Sequence, residues 1–231
     1  MNDHQSLIAD SQSQRALWPL RLVLVALALV LWFWTQSLIG KRAFPGEGIG
    51  DGLHTLTAPL HHYLLDHPAA ANGLLIVSSA FIDAFALFIL GSGVFGPTLR
   101  PFVGLLMLFA LRQACQALCA LPPPPGMIWR DPGFPSLLVT YGVANDLFFS
   151  GHTALAVYGA IELARLNRRW LTFAAASIAL FEAATVIVLR AHYTMDVFTG
   201  AITAFLVAVV AARFAPACDR AVDRLRTKVQ R

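Results

Sequence analysis

Six long apolar runs are the feature that most constrains what this chain can fold into. Each is long enough to cross a hydrocarbon core of about 30 Å as an α-helix, and they fall at residues 18–38, 74–94, 101–121, 147–166, 170–189 and 197–214. With 57% hydrophobic and 13% charged residues, the chain carries about half the charge of an ordinary soluble domain. The sequence therefore predicts an all-α membrane protein with one domain, 1–231, comprising a six-helix bundle over 18–214 and tails at 1–17 and 215–231.

The first apolar run has two possible readings. Arg15 and Arg21 precede an apolar stretch, as in a signal peptide, but Gln36, Ser37 and Leu38 follow it without a small-x-small cleavage pattern. We expect a retained helix.

Basic residues divide unevenly between the two sets of linkers that six spans create. Of the 17 Lys and Arg residues, twelve fall on the side of the termini and four on the other, with Arg112 inside the third span. Such an excess marks the cytoplasmic side. We therefore expect cytoplasmic termini, and the compact, alanine-rich chain suggests a bacterial inner membrane. The net charge of +4 indicates an anionic membrane surface as partner, not nucleic acid, because the basic residues lie at the edges of apolar runs.

The linker at 40–73 contains leucines at helical spacing beside histidines, which predicts a short helix lying in the membrane interface. Its histidines are His54, His61, His62 and His67. We expect them to be surface residues and not metal ligands, since Asp66 is the only carboxylate close by and no cysteine accompanies them.

Two polar clusters interrupt the apolar pattern. NDLFFSGHT, at 145–153, lies at the start of the fourth span, and AHYTMD, at 191–196, lies between the fifth and sixth. The start of an even-numbered span and the end of an odd-numbered one share a membrane side. We therefore expect the two clusters to meet in space.

These clusters hold the residue types needed for acid–base and nucleophilic chemistry. His192 and Asp196 are four residues apart, so on a helix they share a face and the carboxylate can hold an imidazole N–H. A histidine so oriented can attack phosphorus or deprotonate a hydroxyl, and His152 can protonate the departing oxygen. Ser150 and Gly151 place backbone N–H groups at a helix N-terminus, where phosphate binds. This chemistry needs no metal, and no cofactor is predicted.

Simpler readings stay open. A histidine at a helix end is often an interfacial residue, and a His/Asp pair four apart is often a local hydrogen bond. A metal site built from His152, His192 and Asp196 is the other alternative, because the ligand types fit although no short-spaced motif supports it. The three cysteines contain no CxxC pair and are expected to be packing residues: Cys115, Cys119 and Cys218.

The motif SGHT, followed about forty residues later by AHYTMDV, resembles the paired motifs of the sphingomyelin synthase family, within the type-2 phosphatidic acid phosphatase superfamily. The resemblance extends upstream through Arg100, the pair 111–112 and the pair 121–122 to a further proline, glycine and methionine. Asp146 falls where that family has an aspartate ahead of SGHT. The likeness covers residues 100–214.

The resemblance implies a six-helix bundle of the lipid phosphatase and sphingomyelin synthase type, with a triad that faces the exoplasmic or lumenal side. In that family the downstream histidine acts at phosphorus, the aspartate supports it and the upstream histidine handles the leaving group. These roles fall on His192, Asp196 and His152, in a site that faces the periplasm or the outside.

The chain also departs from the broader lipid phosphatases of the superfamily, which carry cations at two positions where this sequence has Gly93 and Val186. A terminal phosphate dianion would miss those cations, so the sequence favours a phosphodiester substrate. Arg112 and Arg190 are the remaining candidate phosphate clamps, and Tyr193 is predicted to help bind substrate.

Acidic residues within the spans are expected to face the bundle interior or a cavity. Asp83 and Glu182 are the deeper ones, and each either pairs with Arg112 or completes the site from a neighbouring helix. Trp129 and Tyr141 either line the head-group entrance or anchor the protein at the interface.

The sequence thus predicts an enzyme that moves a phospho-head group from a phospholipid to a lipid hydroxyl, or to water as a phospholipase C does. The alternative enzyme is a lipid phosphate or undecaprenyl pyrophosphate phosphatase. The alternative of another class is a non-catalytic lipid-binding transporter or scaffold, against which the complete set of His152, His192 and Asp196 argues.

Overall fold

The computed structural model describes residues 18–41, 49–141 and 147–229, and in this part of the chain it consists of helices joined by irregular segments. There are eight helices in these residues: α1 Trp18–Ile39, α2 Gly52–Leu56, α3 Ala58–Asp66, α4 Pro68–Phe95, α5 Arg100–Leu118, α6 Gly151–Ala164, α7 Arg169–Val188 and α8 Thr194–Val229.

Five of these helices are long and apolar enough to cross a membrane, namely α1, α4, α5, α7 and α8. Large apolar side chains on their outer faces are exposed, as lipid-facing residues would be, including Leu27, Phe173, Leu180 and Phe205. The all-helical membrane class is thus supported, whereas five helices and not six meet the length for a span.

The fourth predicted span, 147–166, is the exception, because its helix α6 has only 14 residues. A helix of that length reaches about 21 Å, short of the roughly 30 Å hydrocarbon core. The irregular backbone before it is buried within the protein, with Leu147, Phe149 and Ser150 almost without exposure. Such burial is what allows non-helical backbone near membrane depth.

Helix α6 lies at the centre of the bundle, packed against α4, α5, α7 and α8. Its apolar residues Leu155 and Tyr158 join Phe85 and Leu108 in one buried core. The approach to α5 is close, because a Cβ on Gly104 would overlap the Tyr158 hydroxyl. Helix α6 is therefore held in place by four surrounding helices.

The last predicted span ends at residue 214, but α8 continues to Val229 with Pro216 inside it. Its extension returns to the turn between α4 and α5, where Asp219 accepts hydrogen bonds from the Thr98 hydroxyl and the Leu99 N–H. The segment 215–229, predicted as a basic tail, is thus part of a packed helix.

Candidate active site

The two polar clusters of the sequence lie against each other in the structure. Ser150 is the N-cap of α6, and its hydroxyl accepts a hydrogen bond from the Thr153 N–H at 3.3 Å. The Ser150 N–H donates to the backbone carbonyl of Asp196 at 3.1 Å. Gly200 on α8 permits this approach, because a Cβ there would lie 2.7 Å from the Ser150 carbonyl oxygen. One backbone hydrogen bond therefore connects the SGHT and AHYTMD motifs.

A cavity lies where the two motifs meet. Its polar lining includes both motif histidines, a guanidinium and the start of α6, and the rest of its lining is mainly aromatic and aliphatic. The described residues that line it are Trp32, Ile82, Phe109, Arg112, Met127, Trp129, Leu138, Val139, Thr140, Leu147, Gly151, His152, Leu155 and His192.

His192 is backed by Asp196 in this cavity. Its Nδ1 lies 3.7 Å from Asp196 Oδ2, a distance for an ion pair and longer than a hydrogen bond. The same carboxylate oxygen accepts the Tyr193 N–H at 2.9 Å, and Asp196 is 1% exposed. Catalytic hydrogen bonds are often long before substrate binds, so this distance is compatible with Asp196 orienting the imidazole.

His152, in the first turn of α6, faces the same cavity. Its ring packs edge-on against the indole of Trp129, with centroids 5.1 Å apart. Its Nε2 is buried and has no hydrogen-bond partner among the described residues. A buried imidazole nitrogen without a partner is suited to exchange a proton with a bound group.

Arg112 supplies the cation of the cavity. Its Nε donates to the Phe149 carbonyl at 3.0 Å, and its Nη1 lies 3.5 Å from the Gln36 Oε1 of α1. The start of α6 is very close, because a Cβ on Gly151 would be 3.0 Å from Arg112 Nε. Glycine at this position therefore lets a guanidinium and a helix N-terminus face one ligand.

Other predicted site residues have structural partners outside the cavity. Arg190 donates to the Pro125 carbonyl at 2.8 Å, with its backbone at a φ of 53°. The Tyr193 hydroxyl accepts the Ile49 N–H at 3.1 Å. Neither residue lines the described cavity, and their roles as phosphate clamp and substrate contact stay predictions. Asp146 lies outside the described residues.

The two N–H groups predicted to bind phosphate, those of Ser150 and Gly151, differ in their partners. The Ser150 N–H is occupied by the Asp196 carbonyl, and Ser150 is fully buried. The N–H groups of Gly151 and His152 have no hydrogen-bond partner within the part of the chain that the structure describes. They are the donors that a bound anion can reach.

The two intramembrane acids accept hydrogen bonds from groups other than Arg112, and one Glu182 oxygen, Oε1, has no partner among the described residues. Asp83 accepts the N–H groups of Leu137 and Leu138 at 2.8 and 3.1 Å. Glu182 accepts the Ser78 hydroxyl at 2.6 Å and is fully buried. Among the described contacts neither acid pairs with Arg112, and neither lines the cavity, so a supporting role for them stays a prediction.

Two histidines that the sequence analysis assigned to the surface are buried against the AHYTMD segment. His54 is 6% exposed and His61 is 0% exposed. His54 Nε2 donates to the His192 carbonyl at 2.9 Å, and His61 Nδ1 donates to the Val188 carbonyl at 2.8 Å. The helical spacing of this linker correctly predicted that both histidines lie on helices. It could not show which face of these helices packs against the rest of the protein.

The electrostatics of this helix pair follow from the same contacts. Burial lowers the pKa of His61 below its ordinary value of 6.5, and the charge of Arg190 lowers it further. Burial alone would raise the pKa of Asp51, but hydrogen bonds from the Thr194 hydroxyl and N–H outweigh that effect and lower it. At neutral pH, Asp51 is thus an anion and His61 is neutral.

The aromatic residues Trp129 and Tyr141 are half-buried and pack against each other beside the cavity. Trp129 lines the cavity and donates its indole N–H to the Thr140 carbonyl. Tyr141 packs on Trp129 at a centroid distance of 5.0 Å and hydrogen-bonds Ser79. Within residues 18–41, 49–141 and 147–229, no group of three or more His, Cys, Asp and Glu residues is placed to hold a metal ion.

Comparison with known proteins identifies a family. No curated protein and no solved structure matches the chain. The model of the AtPDCT1/2 family, a plant phosphatidylcholine:diacylglycerol cholinephosphotransferase-like family, matches residues 51–213. The matched range begins at Asp51, just before α2, and includes the whole described cavity except Trp32. The resemblance to the sphingomyelin synthase family stays a prediction. Because the match covers well over half of the 231 residues, the chain belongs to the AtPDCT1/2 family.

Proposed function

We propose that this protein is a membrane phosphotransferase that moves the phospho-head group of a phospholipid to a lipid hydroxyl. The observation that carries the proposal is that His192, backed by Asp196, shares one cavity with His152 and Arg112. Family membership supports the reaction class, because the family is cholinephosphotransferase-like.

The chemistry follows from the positions of the two histidines. The His192 imidazole attacks phosphorus, the bond from phosphorus to the diacylglycerol oxygen breaks, and His152 gives that oxygen a proton. Asp196 stabilises the charge that develops on the His192 ring. In the second half, the acceptor hydroxyl loses its proton to His152 and attacks the phosphorus, which restores His192. No proton or electron is left over at the end of the cycle.

Charge matching favours a diester over a terminal phosphate. A phosphodiester carries one negative charge, whereas a terminal phosphate carries nearly two at neutral pH. The described cavity wall contains one guanidinium, that of Arg112, together with the N–H groups of Gly151 and His152. That donor set suits a monoanion.

The aromatic wall favours a quaternary ammonium head group. Trp32, Phe109 and Trp129 line the cavity, and none of its described lining residues is a carboxylate. A trimethylammonium group gains cation–π attraction from such rings, whereas a primary ammonium needs hydrogen-bond acceptors as well. We therefore propose phosphatidylcholine as donor and diacylglycerol as acceptor, with water as a slower acceptor when no lipid hydroxyl is present.

The test uses purified protein in mixed micelles with chelator. Because donor and product are both phosphatidylcholine, the diacylglycerol carries the isotope label, and labelled phosphatidylcholine is the expected product. Phosphatidylethanolamine and phosphatidic acid are offered in parallel, and a His192→Gln variant is the matched control.

Other outcomes have defined meanings. Inorganic phosphate released from phosphatidic acid, without any transfer from a diester, would establish the phosphatase alternative and overturn the proposal. Lipid binding that persists in wild type and His192→Gln alike, with turnover in neither, would establish the non-catalytic alternative. Preference for phosphatidylethanolamine would retain the reaction and reject the choline assignment.

A further inference from the structure

Helices α2 and α3 bind the turn that carries His192. This turn, residues 188–194, joins α7 to α8. Five hydrogen bonds from segment 49–61 reach its backbone or side chains, involving Ile49 with Tyr193, Asp51 twice with Thr194, His54 with His192, and His61 with Val188. The concentration of these bonds on seven consecutive residues requires an explanation beyond general packing.

The histidine bonds fix the main chain of His192 itself. The His192 N–H donates to the Val186 carbonyl at 3.2 Å, and the His192 carbonyl accepts from His54 Nε2 at 2.9 Å. Because a carbonyl can only accept, the Nε2 of His54 must carry a proton. His54 of α2 and His61 of α3 therefore donate from different ring nitrogens, Nε2 and Nδ1, to two backbone carbonyls of the same turn.

Asp51 belongs to the same arrangement. Its Oδ1 accepts the N–H groups of Leu53 and His54, which caps α2, and also the Thr194 hydroxyl at 2.6 Å. Its Oδ2 accepts the Thr194 N–H at the start of α8. One carboxylate thus caps α2 and also binds the first residue of α8.

We propose that α2–α3 is the positioning element of His192, with Asp51, His54 and His61 as positioning residues. The ion-pair distance of 3.7 Å between His192 and Asp196 leaves the imidazole dependent on its backbone for alignment. A displacement of about 1 Å at a reacting group costs on the order of a hundredfold in rate. The kinetic part of this inference rests on the proposed function.

The two histidines allow a crossed set of substitutions. A glutamine amide nitrogen falls near the position of a histidine Nε2, and an asparagine amide nitrogen falls near that of Nδ1. His54→Gln and His61→Asn therefore keep the donor, whereas His54→Asn and His61→Gln misplace it. We expect the first pair to stay within about threefold of wild-type kcat and the second pair to lose about tenfold or more, with KM little changed.

Matched controls come from the same helix. His62 and His67 are exposed, and the His67 side chain hydrogen-bonds the Tyr63 carbonyl of α3 and no other described residue. His62→Gln and His67→Gln should leave kcat and thermal unfolding unchanged. If the crossed variants do not fold, Thr194→Val removes one bond to Asp51 while the cap of α2 stays, and a few-fold fall in kcat is expected.

A readout without substrate separates this inference from the proposed function. In protein labelled with carbon-13 at histidine Cε1, the His192 resonance and its pH titration should match wild type in His54→Gln and His61→Asn, and differ in His54→Asn and His61→Gln. That pattern supports positioning even if the wild type transfers no head group. Equal behaviour of glutamine and asparagine at each site, in the titration and in kcat, would overturn the inference.

Discussion

Gly151→Ala should lower activity while leaving the fold intact. The added methyl would lie 3.0 Å from Nε and 3.3 Å from Cζ of Arg112, so the guanidinium must move by a few tenths of an ångström. Because about 1 Å of misplacement costs on the order of a hundredfold, this displacement should cost about fourfold to tenfold in kcat/KM. Gly151 does not have a positive φ, so its backbone accepts alanine without strain.

The assay compares transfer to labelled diacylglycerol with thermal unfolding in the same detergent. Gly91→Ala on α4 is the matched control, because a Cβ there meets nothing within 4 Å. If the methyl acts through Arg112, the loss should be smaller in an Arg112→Gln background, since neighbouring changes are not additive. Wild-type activity in Gly151→Ala, or a loss that simply follows the unfolding midpoint, would refute the placement of Arg112 at the reacting group.

Three further outcomes are expected. Asp196→Asn should reduce kcat less than His192→Gln does, because the aspartate orients and does not react; equal or larger loss in Asp196→Asn, measured by the same transfer assay, would contradict that division of roles. With the native cysteines replaced, Phe134→Cys should react with an impermeant thiol reagent from outside intact cells and Arg224→Cys should not, as the distribution of basic residues predicts; the reverse labelling would place the site in the cytoplasm. Because burial lowers the pKa of His61 below 6.5, the unfolded chain binds a proton more readily, so stability should fall as pH drops below about 6.5; His61→Asn should flatten that dependence in thermal unfolding, and an unchanged slope would contradict it.

Hydropathy predicted the helical membrane class because lipid-facing helices must be apolar over many residues. It overestimated the length of the fourth span, because buried irregular backbone can be as apolar as a membrane-spanning helix. Leu147 and Phe149 are as apolar as the residues of α6, but they lie in buried irregular backbone ahead of Gly151. Apolar composition reports burial or lipid contact and does not distinguish a helix from a buried turn.

The meeting of the two motifs could be inferred from the order of the apolar runs, whereas the partners of single side chains could not. Arg190 was a reasonable phosphate clamp by its position, yet its guanidinium donates to the Pro125 carbonyl. His54 bonds a carbonyl 138 positions away, a contact that local periodicity does not encode. In the sequence, Asp51 precedes the short helices that carry His54 and His61. This pattern is compatible with helices at the surface and also with helices that pack on another part of the protein, so the sequence alone did not identify the contact with the turn at 188–194.

The most direct test of the central claim is to trap the head group on His192. Purified protein is mixed with phosphatidylcholine without acceptor lipid and quenched rapidly at alkaline pH, because a phosphorus–nitrogen bond to histidine is labile in acid. Peptide mass spectrometry should then find phosphocholine on His192, and none in His192→Gln. Full transfer activity with no modified histidine at any quench time, or modification of His152 in its place, would contradict the account.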